Sequence, residues 1–205
     1  MAIVINGSGT VTGLAVGGLP DGTVDAGTLA TNSVDSAELI DGSVDAVKLA
    51  SGVGGKVLQV VSVTSATTFT TTSDTLVNTG INLAITPTLT SSKIMVIISA
   101  SLGSSAGGRP AFGIRRDSTD LTLGTATGTQ RAVYGGAYIG DTNATTTVSG
   151  TILDAPATTS ATTYRITVST RTSSYITTIN RTNSDADNPH TVRPVSTITL
   201  MEIGV

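Results

Sequence analysis

Residues 21–50 contain three tandem decapeptides in one register, DGTVDAGTLA, TNSVDSAELI and DGSVDAVKLA. Valine holds the fourth place of each repeat, aspartate the fifth and leucine the ninth. The large apolar residues that recur in this way are Val24, Leu29, Val34, Leu39, Val44 and Leu49. Two such side chains per repeat bury too little surface to offset an ordering cost of about 1 kcal/mol or more for each residue. The repeats therefore predict that other chains supply the missing apolar contacts.

The spacing of five residues between valine and leucine fits neither the period of a helix nor that of a strand. It predicts an extended valine followed by a short helical turn, which Asp35 and Glu38 would cap in the middle repeat. Such a turn is too short to be stable alone in water. We expect the six apolar residues to be contacts of a threefold-symmetric shaft. The alternative is a disordered, low-complexity linker, which would not need a fixed register.

Composition favours a mainly β protein. Charged residues make up 12% of the 205 residues and aromatic residues 3%, while threonine, serine and glycine are abundant. The net charge of −3 provides no basic surface for nucleic acid. The longest apolar run, 94–98, is too short to cross a bilayer, so no membrane insertion is expected. Cysteine is absent, which rules out a disulfide framework and fits a protein assembled in a reducing cytoplasm.

The chain is predicted to have four parts. They are an extended arm over 1–20, the decapeptide shaft over 21–50, a flexible glycine and serine joint over 51–55, and a head domain over 56–205. Strands of the head are predicted at 57–63, 67–72, 76–85, 94–102, 111–116, 131–139, 145–153, 164–170, 175–180 and 195–203. About ten short strands separated by turn residues predict an antiparallel β-sandwich, closed as a jelly roll.

Two strands carry further expectations. Apolar residues occupy both alternating sets in 94–98, which predicts a strand covered on both faces. The apolar strand 195–203 lies almost at the C-terminus, and we expect it to pair inside a sheet near the contact with sister chains.

An enzymatic motif is present but lacks its usual context. Residues 103–107, GSSAG, match the nucleophile elbow of esterases around Ser105, and Asp154 and His190 follow in the order serine, acid, histidine. The elbow requires a helix after the serine, whereas Gly108, Arg109 and Pro110 follow here. We therefore expect no catalytic residues, and a carbohydrate esterase that uses Ser105 is kept as a remote alternative.

Other polar motifs are incomplete. Asp185 and Asp187 have the spacing of a calcium loop without its glycine and distal glutamate, and the single histidine cannot form a zinc cluster. No cofactor or metal is therefore expected. The pair Arg115–Arg116 is interpreted as a solvated strand end. Three tyrosines are candidates for sugar recognition, each of which could equally belong to the core: Tyr134, Tyr138 and Tyr175.

Several runs of the sequence resemble bacteriophage proteins. ILDAPATTSATTYRITV (152–168), INRT (179–182), STITLMEI (196–203) and SSKIMVIISAS (91–101) are similar to the C-terminal domain of tail-fibre and fibre-like virion proteins. INGSGTVTGLAVGGLPDGTVD (5–25) and the decapeptides resemble the arms and shafts of phage fibres. Together these runs cover most of the chain.

The resemblance implies a non-enzymatic homotrimer in the virion, assembled in the host cytoplasm. Residues 1–50 would dock on another virion protein of the tail, the portal adaptor or the capsid. The head would point outward for host adhesion, with a cell-surface glycan as a possible partner. A head fibre or a capsid decoration protein that cements the shell would use the same parts, and it remains the alternative.

Overall fold

A computed structural model describes residues 4–5, 11–12, 34, 39, 43–44, 48, 56–121 and 124–204. The chain divides into two units, Met1–Gly54 and Gly55–Val205. In the first unit, β1 (Val4–Ile5) pairs with β2 (Val11–Thr12) in antiparallel fashion. The joint and most of the arm and shaft lie outside the described residues, as do the predicted contacts Val24, Leu29 and Leu49 and the predicted cap formed by Asp35 and Glu38.

The second unit is built from strands, and the described residues contain no helix. Its strands are β3 (Val57–Ser65), β4 (Phe69–Thr71), β5 (Val77–Ile85), β6 (Lys93–Ser104), β7 (Ala111–Arg116), β8 (Thr119–Leu121), β9 (Gly135–Gly136), β10 (Thr145–Asp154), β11 (Thr162–Ser169), β12 (Thr177–Ile179) and β13 (Ser196–Ile203). The prediction of a mainly β fold is confirmed.

Within the second unit the strand pairs are all antiparallel and form two sheets. The first sheet has the order β3-β13-β6-β10, with β12 and β4 continuing the lines of β13 and β3. The second sheet has the order β5-β11-β7-β8, with β9 also beside β7. The main pairs are nested along the chain, since β3 pairs with β13, β5 with β11, β6 with β10 and β7 with β8.

The two sheets enclose one hydrophobic core. Because side chains alternate along a strand, every second residue of β6 points inward. The fully buried core residues of β6 are Ile94, Val96, Ile98, Ala100 and Leu102. From the second sheet, Phe112 and Ile114 of β7 and Tyr164, Ile166 and Val168 of β11 meet them in the same cluster. The sequence prediction that the terminal strand pairs inside a sheet is confirmed, because β13 lies between β3 and β6.

Most of the predicted strands are present, with two corrections. The strand predicted at 131–139 is wrong in extent, since only Gly135–Gly136 pairs with β7. The side chains around it bond elsewhere: Arg131 donates to the carbonyl oxygen of Thr170 at 2.6 Å, and the Tyr134 hydroxyl donates to that of Thr151 at 2.9 Å. The short strand β8 was not predicted.

We call the end of the sandwich near Lys56 the proximal end, because the chain enters the second unit there. The backbone N–H of Gly204 donates to Lys56 O at 2.7 Å, and Ile203 pairs with both Val57 and Lys93. The opposite end, where β6 finishes at Ser104, is the distal end.

A buried carboxylate fastens the proximal end. The Glu202 side chain is fully buried and accepts three hydrogen bonds, from Gln59 Nε2 at 2.6 Å and from the Thr88 N–H and hydroxyl, each at 2.7 Å. Burial raises the pKa of Glu202, but these donors outweigh burial and hold it at about 2, below its ordinary 4.5. The nearby Ser92 hydroxyl also lowers this pKa, although it is not placed well enough to form a regular hydrogen bond.

A second polar group joins the two sheets near the same end. Asp154, at the end of β10, accepts two hydrogen bonds from Arg116 Nη1, both at 2.8 Å, and one from the Tyr164 hydroxyl at 2.6 Å. Burial and the neighbouring carboxylate raise the pKa of Tyr164, because both disfavour the phenolate. The three residues link the first sheet to β7 and β11 of the second.

Replacing Glu202 with glutamine should destabilise the second unit by about 2 kcal/mol at pH 7, because an amide NH₂ would face a donor. The folded pKa lies below the unfolded one, so the carboxylate stabilises the fold fully above pH 4.5 and loses that effect as the pH falls to about 2. Urea unfolding at several pH values should therefore show a decline between pH 4.5 and 2 that is weaker in Glu202→Gln.

Asp187→Asn provides the matched control, since this carboxylate is exposed. Its free energy of unfolding should stay within about 0.5 kcal/mol of the wild type. If the wild type and Glu202→Gln lost stability equally in acid, the acid sensitivity could not be assigned to Glu202.

Candidate binding surfaces

The outer face of the first sheet carries a row of apolar side chains across all four strands. Met95 on β6 lies opposite Leu153 on β10 and Met201 on β13, and Met201 lies opposite Val60 on β3. We call Val60, Met201, Met95 and Leu153 the apolar row. Val60 is 54% exposed and Leu153 is 53% exposed, while the two methionines are half-buried. A band of apolar side chains near the proximal end is therefore exposed to solvent.

Three further apolar residues widen the row. Ile97 is 38% exposed on the same face of β6, and Leu58 and Ile203 lie on the proximal side. The prediction that β6 is covered on both faces is thus wrong within a single chain. The signal for this surface was present in the sequence, because apolar residues fill both alternating positions of 94–98.

The surrounding surface is polar. Toward the distal end of the same face, Ser99 lies opposite Ser149 and Thr197, and Thr197 lies opposite Thr64. The outer face of the second sheet carries Arg115 and other polar side chains instead. Arg115 forms a bidentate ion pair with Asp120 at 2.7 and 3.0 Å. The apolar row is therefore a local feature of one sheet face.

The described members of the predicted shaft contacts are also exposed. Val34 and Leu39 are each 47% exposed, and Val44 is 45% exposed. Within one chain these three side chains remain open to contact. Their role between chains stays a prediction.

A second surface lies at the distal end, around the turn 105–110 between β6 and β7. Ile139 is buried and forms a bridge with Gly108, donating its N–H to the Gly108 carbonyl at 3.0 Å. The preceding residue, Tyr138, points outward and is 61% exposed. The Arg109 guanidinium stacks on the Tyr138 ring, with 5.0 Å between Cζ and the ring centroid. A cation over a ring face is attracted by the ring quadrupole.

The other side of this turn carries a similar pair. The Ser105 N–H donates to the Ile176 carbonyl at 3.1 Å, and the Ile176 N–H donates to Ser105 Oγ at 3.0 Å. These bonds hold Tyr175 beside the turn, where a Cβ on Gly107 would lie 3.9 Å from the ring. The Arg171 guanidinium stacks on Tyr175 at 5.4 Å. Two tyrosine and arginine pairs therefore flank one turn.

Tyr134, the remaining sugar-binding candidate, has a structural role. Its hydroxyl donates to the Thr151 carbonyl at 2.9 Å and accepts from the Thr151 N–H at 3.0 Å. Its ring meets Phe112 edge to face at 5.4 Å. Tyr134 thereby fastens the 131–134 segment to β10.

The residues of the esterase motif are not brought together. Asp154 pairs with Ile94 at the proximal end of β6, whereas Ser105 follows the last residue of β6 at the distal end. Ser105 follows Ile94 by eleven positions along the extended strand, a distance of about 35 Å. Ser105 Oγ accepts a backbone N–H, and β7 follows the turn where a helix would be needed. His190 lies exposed in the loop before β13.

The charged residues of two predicted motifs, the calcium-loop spacing and the arginine pair, form ion pairs. Asp185 binds the Arg193 guanidinium at 2.8 and 2.9 Å and lies 3.7 Å from Arg181 Nη1. The interpretation of Arg115–Arg116 as a solvated strand end is wrong, since Arg115 binds Asp120 and Arg116 binds Asp154. Within the described ranges, no three acidic, histidine or cysteine side chains gather to hold a metal ion.

The part of the chain that the structure describes contains no helix of a length and hydropathy that would cross a membrane. A comparison with protein-family models gives no match for this chain, and neither does a comparison with curated proteins. The apolar row and the two tyrosine and arginine pairs are therefore the features that guide a functional assignment.

Proposed function

We propose that this protein is a structural component of a phage particle, a short homotrimeric fibre that docks through residues 1–50 and presents the sandwich for host adhesion. The observation that carries the proposal is the apolar row, whose exposed hydrocarbon favours burial against another protein surface. The occupant that fits it best is a second copy of the same chain.

The charge distribution favours a second copy. The row itself contains no charged side chain, and Lys93 lies only at its proximal margin. Identical surfaces of this kind from three copies can meet around a threefold axis without burying unpaired like charges, which would cost several kcal/mol. The serines and threonines on the distal side form a polar rim, as is usual around the apolar centre of an interface.

Chain connectivity supports the same occupant. The last decapeptide ends at Ala50, and only residues 51–55 separate it from Lys56, beside which the row begins. Five residues span at most about 17 Å. Copies that associate through their repeats would therefore hold their apolar rows at a high effective concentration.

The nested strand pairs support a jelly-roll assignment for the head. A jelly roll has two packed antiparallel sheets and two Greek keys, which leave few free edges. Three weak sites on one trimer can raise the overall affinity by about 100-fold or more when receptors are engaged together.

The trimer can be tested at the row. Val60→Glu should weaken the trimer, because association would bury an unpaired carboxylate, while the exposed position lets the monomer fold. Sedimentation velocity at micromolar concentration should give about 60 kDa for the wild type, three times 20.5 kDa, and a substantial fraction of about 20 kDa for the variant.

Val192→Glu is the matched control, because Val192 is 49% exposed in the loop before β13 and lies outside the row. It should sediment like the wild type. A wild-type monomer at micromolar concentration, or a trimeric Val60→Glu, would argue against self-association through the row.

Docking can be tested by deleting residues 1–50. The truncated protein should stay soluble and folded by circular dichroism, because the core of the second unit is formed within 56–204, and it should no longer join the particle. Immunogold labelling of particles that carry the full chain would place it on the tail or, as a cement protein would require, on the capsid. Normal incorporation of the truncated protein would contradict docking by the arm and shaft.

A further inference from the structure

We infer that the distal end of the sandwich is a binding site for an acidic saccharide, formed by Arg109, Tyr138, Arg171 and Tyr175. The inference rests on the proposed adhesive function and names the ligand class and the residues of the adhesive site. We call these four residues the distal cluster.

The two arginines of the cluster differ from the others in the chain. The chain has eight arginines, all within the described residues. Six of them donate hydrogen bonds to protein oxygens, namely Arg115, Arg116, Arg131, Arg165, Arg181 and Arg193. In the described part of the chain, Arg109 and Arg171 form only their ring contacts, so their side-chain donors remain free for a ligand.

Asp141 and Asp74 do not neutralise these arginines. Asp141 follows Tyr138 by three residues and accepts the Asn143 N–H at 2.8 Å. Burial lowers the pKa of Arg131 below its ordinary value, and the charge of Asp74 partly offsets that shift. Asp74 therefore interacts with Arg131. Within the described ranges neither aspartate forms an ion pair with Arg109 or Arg171. The distal cluster therefore presents two cations without protein counter-charges.

The rings provide the second half of the recognition. Each tyrosine carries a guanidinium on one face, and the 61% exposure of Tyr138 leaves much of its ring open. Aromatic rings present a large apolar surface with a polar tip, which suits the alternating C–H and hydroxyl faces of a pyranose. The stacked arginine also restricts the ring, which lowers the entropy lost on binding.

The geometry of the turn keeps the two pairs close to one ligand. Both tyrosines lie against the turn 105–110, Tyr138 through the bridge of Ile139 to Gly108 and Tyr175 beside Gly107. A Cβ on Gly108 would overlap the Ser104 side chain, so this close packing requires glycine. A chain of sugars that carry carboxylates can place a ring on a tyrosine and its acid group on a free guanidinium fork.

The experiment uses the full chain and oligomers of galacturonate as the acidic probe, with the methyl-esterified oligomers as an uncharged match of equal shape. Calorimetry should show binding of the acid form and at least about tenfold weaker binding of the ester. Arg109→Ala, Arg171→Ala and Tyr138→Ala should each weaken binding of the acid form by about tenfold or more. Tyr175→Phe, which keeps the ring and the fold, should bind within about threefold of the wild type.

Lys93→Ala is the matched control, since it removes an exposed cation at the proximal end. It should leave saccharide binding unchanged. Poly-glutamate provides a second comparison. It should bind much more weakly than galacturonate oligomers, and Tyr138→Ala should not change its binding.

Several outcomes would overturn the inference. The first is that the wild type does not bind the acid form at millimolar sugar. The second is that Lys93→Ala loses as much binding as the variants of the distal cluster. The third is that poly-glutamate binds as tightly as galacturonate, which would indicate an acidic peptide ligand. Sedimentation of the same variants separates the two proposals. If the wild type is a trimer that does not bind sugar, only the proposal of a distal saccharide site is contradicted. If it is a monomer that binds sugar through the distal cluster, only the proposal of a trimeric fibre is contradicted.

Discussion

The fold depends on the packing of β6 between two neighbours in its sheet and against the opposite sheet. Its inward residues, from Ile94 to Leu102, form the middle of the core. Its pairing with β13 on one side and β10 on the other joins the last strand of the chain to the middle. Because residues distant in sequence must meet before any of these contacts form, the burial of β6 organises the whole domain.

The outward residues of the same strand explain why the two ends of the sandwich differ. Met95 and Ile97 continue the apolar pattern on the solvent side, whereas Ser99 interrupts it. The proximal end thus combines an apolar surface with carboxylates held in hydrogen-bond networks, as the proposed contact with other copies would require. The distal end combines tight glycine turns with free guanidinium groups, which suits reversible contact with a polar ligand.

Much of the strand content follows from the sequence, because alternation and turn residues act locally. The extents of β7 and β10 match their predictions closely for this reason. The partners of polar side chains do not follow from the sequence. Nothing local distinguishes Arg109, whose side-chain donors bind no oxygen of the described residues, from Arg115, which binds Asp120, since the difference depends on which strands become neighbours. In the 131–139 segment the backbone donates only at Tyr134, Ala137 and Ile139, to β7 and to the turn before it, while Arg131 is held through its side chain, so a continuous strand does not form.

The direction of β3 has a mechanical consequence. The chain enters at the start of this strand, which is joined along its length to β13. Tension applied between Lys56 and the distal turn would act parallel to both strands. Antiparallel hydrogen bonds lie perpendicular to that direction, so the load would shear all of them together and would not unzip them one at a time. A load applied in this direction would therefore strain many weak bonds at once, which is the stronger way for a sheet to resist force.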